Sequence, residues 1–224
     1  MKQRAQPTAF VPVPSLTDRA YAEIEELIIT LRLAPGSVLS ESDLQTWLGI
    51  GRTPIREALH RLAREKLVTI LPRRGIIVSA IDITQQLLLL ELRREIERLI
   101  ARSAARRASD EERAQFVVLA ERFGRASKAN DDVEFMRVDR EFNVLCSRAS
   151  HNEFAENAMG LIHSLSRRFW YAHHRVAGVM SLTATLHASI ARAIASRDEE
   201  RAGKASDKLL DGIEKFTKGV VDRR

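Results

Sequence analysis

The sequence predicts a mainly α-helical chain in two parts: a small N-terminal unit ending in a β-hairpin, then an antiparallel bundle of about six helices. Three observations carry this expectation. Residues 40–78 hold two short helical patterns, split at Leu48-Gly49-Ile50-Gly51 and followed by two β-branched runs around a basic turn. Beyond Ser79-Ala80-Ile81-Asp82 the apolar spacing is helical throughout, without strand signals. The 224 residues, 45% of them hydrophobic, suffice for one large core or two modest ones.

Residues 1–14 carry two cations and Pro7, Pro12 and Pro14 but no apolar core of secretory length, which predicts a flexible arm. Leu16, Ala20, Ile24, Leu27, Ile28 and Leu31 then recur at helical spacing, with Thr17 placed to cap the helix and Pro35-Gly36 to stop it. Ser40 and Asp43 read as a capping-box variant opening a second helix, whose buried face is expected to hold Leu44, Trp47 and Leu48. A third helix is expected from Pro54, with Thr53 as its N-cap, to about Lys66. Ile55, Ala58, Leu59 and Leu62 fall at i, i+3, i+4 and i+7 and should pack inward, leaving the opposite face polar. Val68-Thr69-Ile70-Leu71 and Ile76-Ile77-Val78 predict a hairpin whose tip is Pro72-Arg73-Arg74-Gly75.

This order is the layout of a winged helix-turn-helix over residues 15–79. Arg52 and Arg56 flank the start of the third helix, where a recognition helix presents side chains to a DNA major groove. The wing would lie along the backbone or enter a minor groove; taken alone it would also suit an ordinary solvated turn. Charge agrees with a polyanionic partner. The formal charge is +6 and the pI about 9.9, and residues 50–80 hold seven cations against two anions.

Residues 80–224 form the expected second domain. Thr84 would cap a helix running to about Ala108, with Leu89, Leu92, Ile96, Leu99 and Ala104 as its apolar stripe and Arg93, Arg94 and Glu97 interleaved. Ser109 and Glu112 fit a capping box for the next helix, which should reach about Ser127. A third helix begins near Asn130-Asp131-Asp132, and a fourth near Asn152 carries Phe154, Met159, Ile162 and Leu165. The last two are expected over residues 182–196 and 198–220.

Cys146 is the single cysteine, which excludes an internal disulfide and suits a reducing compartment. The apolar runs are too short or too charged to span a bilayer, so a soluble cytoplasmic protein is expected. No Gly-x-Gly-x-x-Gly loop, Walker loop, paired-cysteine pattern or lipidation signal is present, and no nucleophile-base pair can be placed. An enzyme is therefore not expected.

Gly36-Ser37-Val38-Leu39-Ser40-Glu41, then Arg52-Thr53-Pro54-Ile55-Arg56-Glu57-Ala58-Leu59 and the late Arg74-Gly75, resemble the GntR family of bacterial transcription regulators. The resemblance implies that Arg52, Thr53, Arg56, Arg74 and Gly75 contact operator DNA. Ser42 stands where the family often has arginine and Gly51 where it usually has serine or threonine, so the half-site would be read differently. The second half resembles the FCD ligand-sensing domain of the FadR-like subfamily through Glu91-Leu92-Arg93-Arg94-Glu95-Ile96-Glu97, Asp139-Arg140-Glu141-Phe142-Asn143, and His187 with Ala193-Ile194 and Asp198.

Many such domains hold a divalent metal with one aspartate and three histidines. The matching positions here are Asp139, Asn143, His187 and Leu209. Leucine coordinates nothing, and an asparagine amide suits a harder cation than zinc. The remainder would hold a weakly bound divalent metal or form a polar floor for an organic effector. Arg93 corresponds to an inward arginine able to meet an anionic effector. Read without the resemblance, Asp139 and Asn143 would lie on a solvated face, His187 would be a core histidine and Arg93 would pair with Glu97. The resulting expectation is a homodimeric, ligand-responsive DNA-binding regulator, a repressor sensing a small acidic metabolite. The alternative is an architectural DNA binder whose bundle only dimerises.

Overall fold

The structure is a computed structural model describing residues 14–71, 75–177 and 179–221. In chain order it comprises α1 (Leu16–Ile29), β1 (Val38–Leu39), α2 (Glu41–Leu48), α3 (Arg52–Arg64), β2 (Val68–Leu71) and β3 (Gly75–Val78). Then follow α4 (Ile83–Arg107), α5 (Asp110–Ala129), α6 (Asp132–Ala149), α7 (Glu153–Gly160), α8 (His163–Ala177), α9 (Met180–Ala195) and α10 (Glu199–Val221).

The cap of α1 is Ser15, not Thr17: its Oγ accepts from the Asp18 amide at 3.1 Å, and the Asp18 carboxylate accepts in return from the Ser15 amide. Thr17 instead donates to Glu57 Oε2 at 2.6 Å, tying α1 to α3. The helix stops at Ile29, before Pro35-Gly36, because Leu31 turns left-handed at φ +59°. Likewise α3 starts at Arg52 with Gly51 as a cap that offers no side chain, so Thr53 lies inside the first turn. Pro54 is tolerated there because a first-turn N–H has no intrahelical partner anyway. Gly49 closes α2 at φ +63°, a conformation suited to glycine.

The sheet has the order β1-β3-β2, all antiparallel, with Val38 opposite Ile77 and Val68 opposite Val78. A two-residue strand has no periodicity to read, which is why β1 escapes the sequence pattern. Ile24, Ile28, Leu44, Ile55, Leu59 and Leu62 make the centre of this unit's core. Trp47 does not join them, contrary to the pattern, and is 63% exposed. Two turns of helix offer a narrow inward side, and Leu44 with the following Ile50 fills it. Trp47→Ala is therefore expected to change unfolding stability by no more than about 0.5 kcal/mol in a denaturant titration.

The bundle has seven helices among the described residues, because the expected fourth helix is two. The break falls after Gly160, where low helix propensity lets the Leu161 and Ile162 amides turn to Ala158 O and Met159 O. Asp82, not Thr84, caps α4 through two amide bonds. The apolar stripe foreseen on α4 is also corrected: Leu92 and Leu99 are about half exposed, at 50% and 48%. The buried side carries Gln86, Leu90, Arg93, Glu97, Ile100 and Ala104. That face is tolerated inside because its polar groups find partners there, Gln86 on Ser166 and Arg93 on Glu97. Phe116, Phe123, Phe135 and Phe169 are the largest fully buried side chains of this core.

The two units meet along α1 and α8. Ile29 of α1 is buried in the bundle's core, and Leu165 of α8 packs on the N-terminal core. Arg168 donates to Ser79 O and Ala80 O at 2.9 and 3.0 Å, holding the connecting segment. No helix of the described residues is long and apolar enough to cross a membrane.

Candidate nucleic-acid interface and interior cavity

One face of α3 is buried through Ile55, Ala58, Leu59 and Leu62, so the other is necessarily presented outward. Arg52, Thr53 and Arg56 lie on that exposed side. Both guanidiniums are steered by one carboxylate from the start of α2: Arg52 Nε is 3.3 Å from Glu41 Oε2, and Arg56 Nε is 3.3 Å from Glu41 Oε1. Glu41 was not singled out as a site residue; the signal was its place in the first turn of α2, one helix away from the arginines it aligns. Exposed pairs of this kind add little stability, but they narrow the rotamers that the arginines sample. Ser42 bonds Ser40, at 2.6 Å between hydroxyls. Gly75 is exposed at φ +97°, where a side chain would be strained. Arg74, the other wing residue, lies outside the described residues.

Inside the bundle the structure brings Asp139, Asn143, His187 and Arg93 into one neighbourhood. Asp139 is buried, not solvated. Its Oδ1 accepts from His187 Nε2 at 3.0 Å and Asn143 Nδ2 at 3.1 Å, and its Oδ2 accepts from Arg167 Nε at 3.1 Å. Burial pushes the Asp139 carboxyl up, but the His187 hydrogen bond and the Arg167 charge outweigh it and hold it well below the usual range. His187 stacks on Phe123 at 4.9 Å, and its Nδ1 meets Thr183 O at 2.8 Å. Arg93 is buried with Glu97, its Nε 2.5 Å from Oε1.

Arg93, Asp139, His163, Arg167, Trp170 and His187 line a cavity of about 30 Å³, room for little more than a water. His163, 3.8 Å from Asp139, also lines an open cleft of about 430 Å³ shared with Asn143 and with Arg61 and Arg64 at the end of α3. It thus stands between an entrance and the cavity. Burial pushes its imidazole down to about 3, with the Arg167 and Arg93 charges adding to the shift and Asp139 opposing it. Arg167, Trp170 and His163 were not among the expected site residues. Arg167 and Trp170 are i and i+3 on α8, and a charged residue on the same helical face as tryptophan was the available signal.

These residues do not fit a divalent metal. Leu209 is a buried apolar side chain. Asn143 turns its amide nitrogen onto its own helix, to Asp139 O at 2.7 Å, and the Arg167 guanidinium already neutralises Asp139. Among the described residues no group of three or more His, Cys, Asp or Glu is placed to hold a metal. Protein purified without chelator is expected to contain far less than one equivalent of zinc or nickel by elemental analysis.

The family model "Bacterial regulatory proteins, gntR family" matches residues 16–78, and the FCD domain model matches residues 88–212. The chain is 28% identical over 202 residues to the Nta operon transcriptional regulator of Aminobacter aminovorans, covering 87% of this chain and 93% of that protein. It is 24% identical over 215 residues to the HTH-type transcriptional repressor RspR of Escherichia coli, covering 95% and 93%. The fold matches that of E. coli McbR/YncC with a TM-score of 0.76 at 19% identity, over 93% of this chain and all, 100%, of that one. No cofactor is indicated by these matches, and the relatives are transcriptional regulators, not enzymes. A winged helix-turn-helix unit in front of a helical domain with seven helices among the described residues, with both family models matched, places this chain in the GntR family of transcription regulators, in the group that carries an FCD domain.

Proposed function

We propose that the chain is a ligand-responsive, sequence-specific repressor that acts in the cytoplasm as a homodimer. In this reading residues 15–79 contact operator DNA, through Arg52, Thr53 and Arg56 on α3 and Arg74 and Gly75 in the wing. Residues 80–224 dimerise and take a small organic acid beside Arg93, Asp139, Asn143 and His187. The observation that carries the reading is the pair Arg52 and Arg56, exposed on the outward face of a helix whose other face is buried, and aligned by Glu41. Two arginines lining the interior cavity support an acidic effector, and the repressor sense is supported by the name of the relative RspR. A dimer would set two recognition helices about one DNA turn apart, and the effector would act by its unequal affinity for the competent and incompetent spacings.

The test is an operator recovered from random DNA by selection. Arg52→Ala is expected to lower discrimination between that operator and random DNA by about 1–3 kcal/mol, and affinity should fall steeply with salt. Unchanged sequence preference in the variant would overturn the assignment of Arg52.

A further inference from the structure

The buried guanidinium of Arg167 serves both units of the protein at once. Within the cavity its Nε lies 3.1 Å from Asp139 Oδ2, and its Nη2 donates to Met136 O at 2.7 Å. Its Nη1 lies 3.4 Å from Oε1 of Glu25, a residue of α1 in the DNA-reading unit. Glu25 is only 3% exposed, so it is a carboxylate inserted from one unit into the other. Its remaining partners also come from the bundle: Ser164 Oγ donates to Oε1 at 2.5 Å, and Arg140 Nε is 3.2 Å from Oε2. Asp139 and Arg140 are neighbours on α6, and Ser164 and Arg167 lie on one side of α8. The helices that build the cavity therefore build the socket for α1.

This arrangement has consequences for any anion that enters the cavity. A guanidinium meets a carboxylate best through two parallel N–H groups, and Arg167 already divides its donors among Asp139, a carbonyl and Glu25. The contact to Glu25 is the longest of the three, and Glu25 keeps Ser164 and Arg140 if Arg167 leaves. A further carboxylate would find a second donor in Trp170, whose buried Nε1 has no hydrogen-bond partner among the described residues and whose side chain lines the same cavity. The cavity of about 30 Å³ must widen to admit even a small acid, and Arg167 is the lining side chain that also ends on α1.

We propose that a carboxylate bound in the cavity and Glu25 of α1 compete for the Arg167 guanidinium, so that ligand binding loosens the docking of α1 on α8. Arg167 is then a positioning residue that reports cavity occupancy to the DNA-reading unit. The inference rests on the reading above that the cavity takes a small organic acid. Linkage makes it quantitative: the factor by which ligand weakens the Glu25 contact equals the factor by which that contact weakens ligand binding.

The experiment uses the full chain with sodium formate and sodium acetate as probes and sodium chloride as the ionic-strength control. Trp170 and Trp47 are the two tryptophans, so a Trp47→Phe background makes Trp170 fluorescence the reporter of the cavity. Hydrogen exchange of the α1 amides reports docking. Formate is expected to change Trp170 emission saturably and to speed α1 exchange. Glu25→Gln should tighten formate binding about fivefold or more and make α1 exchange fast without ligand. Arg167→Lys, which keeps the charge but loses the fork, should weaken formate about tenfold and uncouple the two readouts. Should Arg167→Lys fail to fold, the Glu25→Gln affinity decides alone. Saturable binding with α1 exchange and Glu25→Gln affinity both unchanged overturns the competition while leaving the acid-binding cavity standing. Absence of any carboxylate response in both the parent and Glu25→Gln overturns the acid-binding cavity, and the competition with it.

Discussion

Stability is expected to fall as the pH drops from about 6.5 towards 3, by on the order of 1.4 kcal/mol per pH unit, and His163→Gln is expected to remove most of that slope. The cause is the position of His163 beside the cavity. Burial depresses its folded pKa to about 3 from an ordinary 6.5, so the folded protein refuses a proton that the unfolded chain accepts. Above about pH 6.5 both states are neutral at this site and it contributes no slope; below it, each unit of acidification favours unfolding until the folded imidazole itself titrates. Asp139 adds a loss only at the acid end. Its folded pKa is depressed below 3.8, so its contribution is complete above that value and disappears as the carboxylate is protonated in the folded state. Urea titrations of parent and variant at pH 7, 5.5 and 4 check this, and parallel slopes in the two proteins would count against a His163 that stays neutral in the folded protein.

Asp139→Ala is expected to destabilise the protein by about 3–5 kcal/mol, the cost of leaving buried charged partners unpaired. Three donors lose their acceptor at once: His187 Nε2, Arg167 Nε and Asn143 Nδ2. In a chain of this size each kcal/mol moves the Tm by roughly 2–4 °C, so the variant should melt on the order of 10 °C lower. Asp139→Asn, which keeps an acceptor and the volume, should lose less. Scanning calorimetry decides; a shift under about 2 °C for Asp139→Ala would mean that this carboxylate is hydrated in solution.

The helical bundle illustrates how far an amphipathic pattern reaches. On α4 the leucines at 89, 92 and 99 suggested the inward face, yet Leu92 and Leu99 turn out to be half exposed and the charged Arg93 and Glu97 go inside. Hydrophobic periodicity locates the core side only when that side is apolar, and here the interior holds a polar cavity. Leucine-rich faces and cavity faces then compete for the same stripe. The α2 helix shows the converse limit: Leu44 and Trp47 share a face by spacing, but two turns of helix have too little contact area to bury both.

The fold of the N-terminal unit was largely legible. Its cues are local: a glycine that closes α2 in a left-handed turn, four apolar residues at helical spacing on α3, and β-branched runs on either side of the wing. The capping box of Ser109 and Glu112 was legible for the same reason, since it involves residues within three positions. By itself the sequence determined the mainly helical class, the winged layout of the N-terminal unit apart from β1, and the residues that stand where the resemblance to the FCD domain places metal ligands. The tertiary structure alone decided that Glu41 aligns Arg52 with Arg56, that Arg167 stands between Asp139 and Glu25, and that His163 is half-buried between the cavity and the open cleft. The Arg167 contacts join residues 28 and 142 positions apart. Which helices approach each other sets such pairs, and no spacing along one helix encodes that choice.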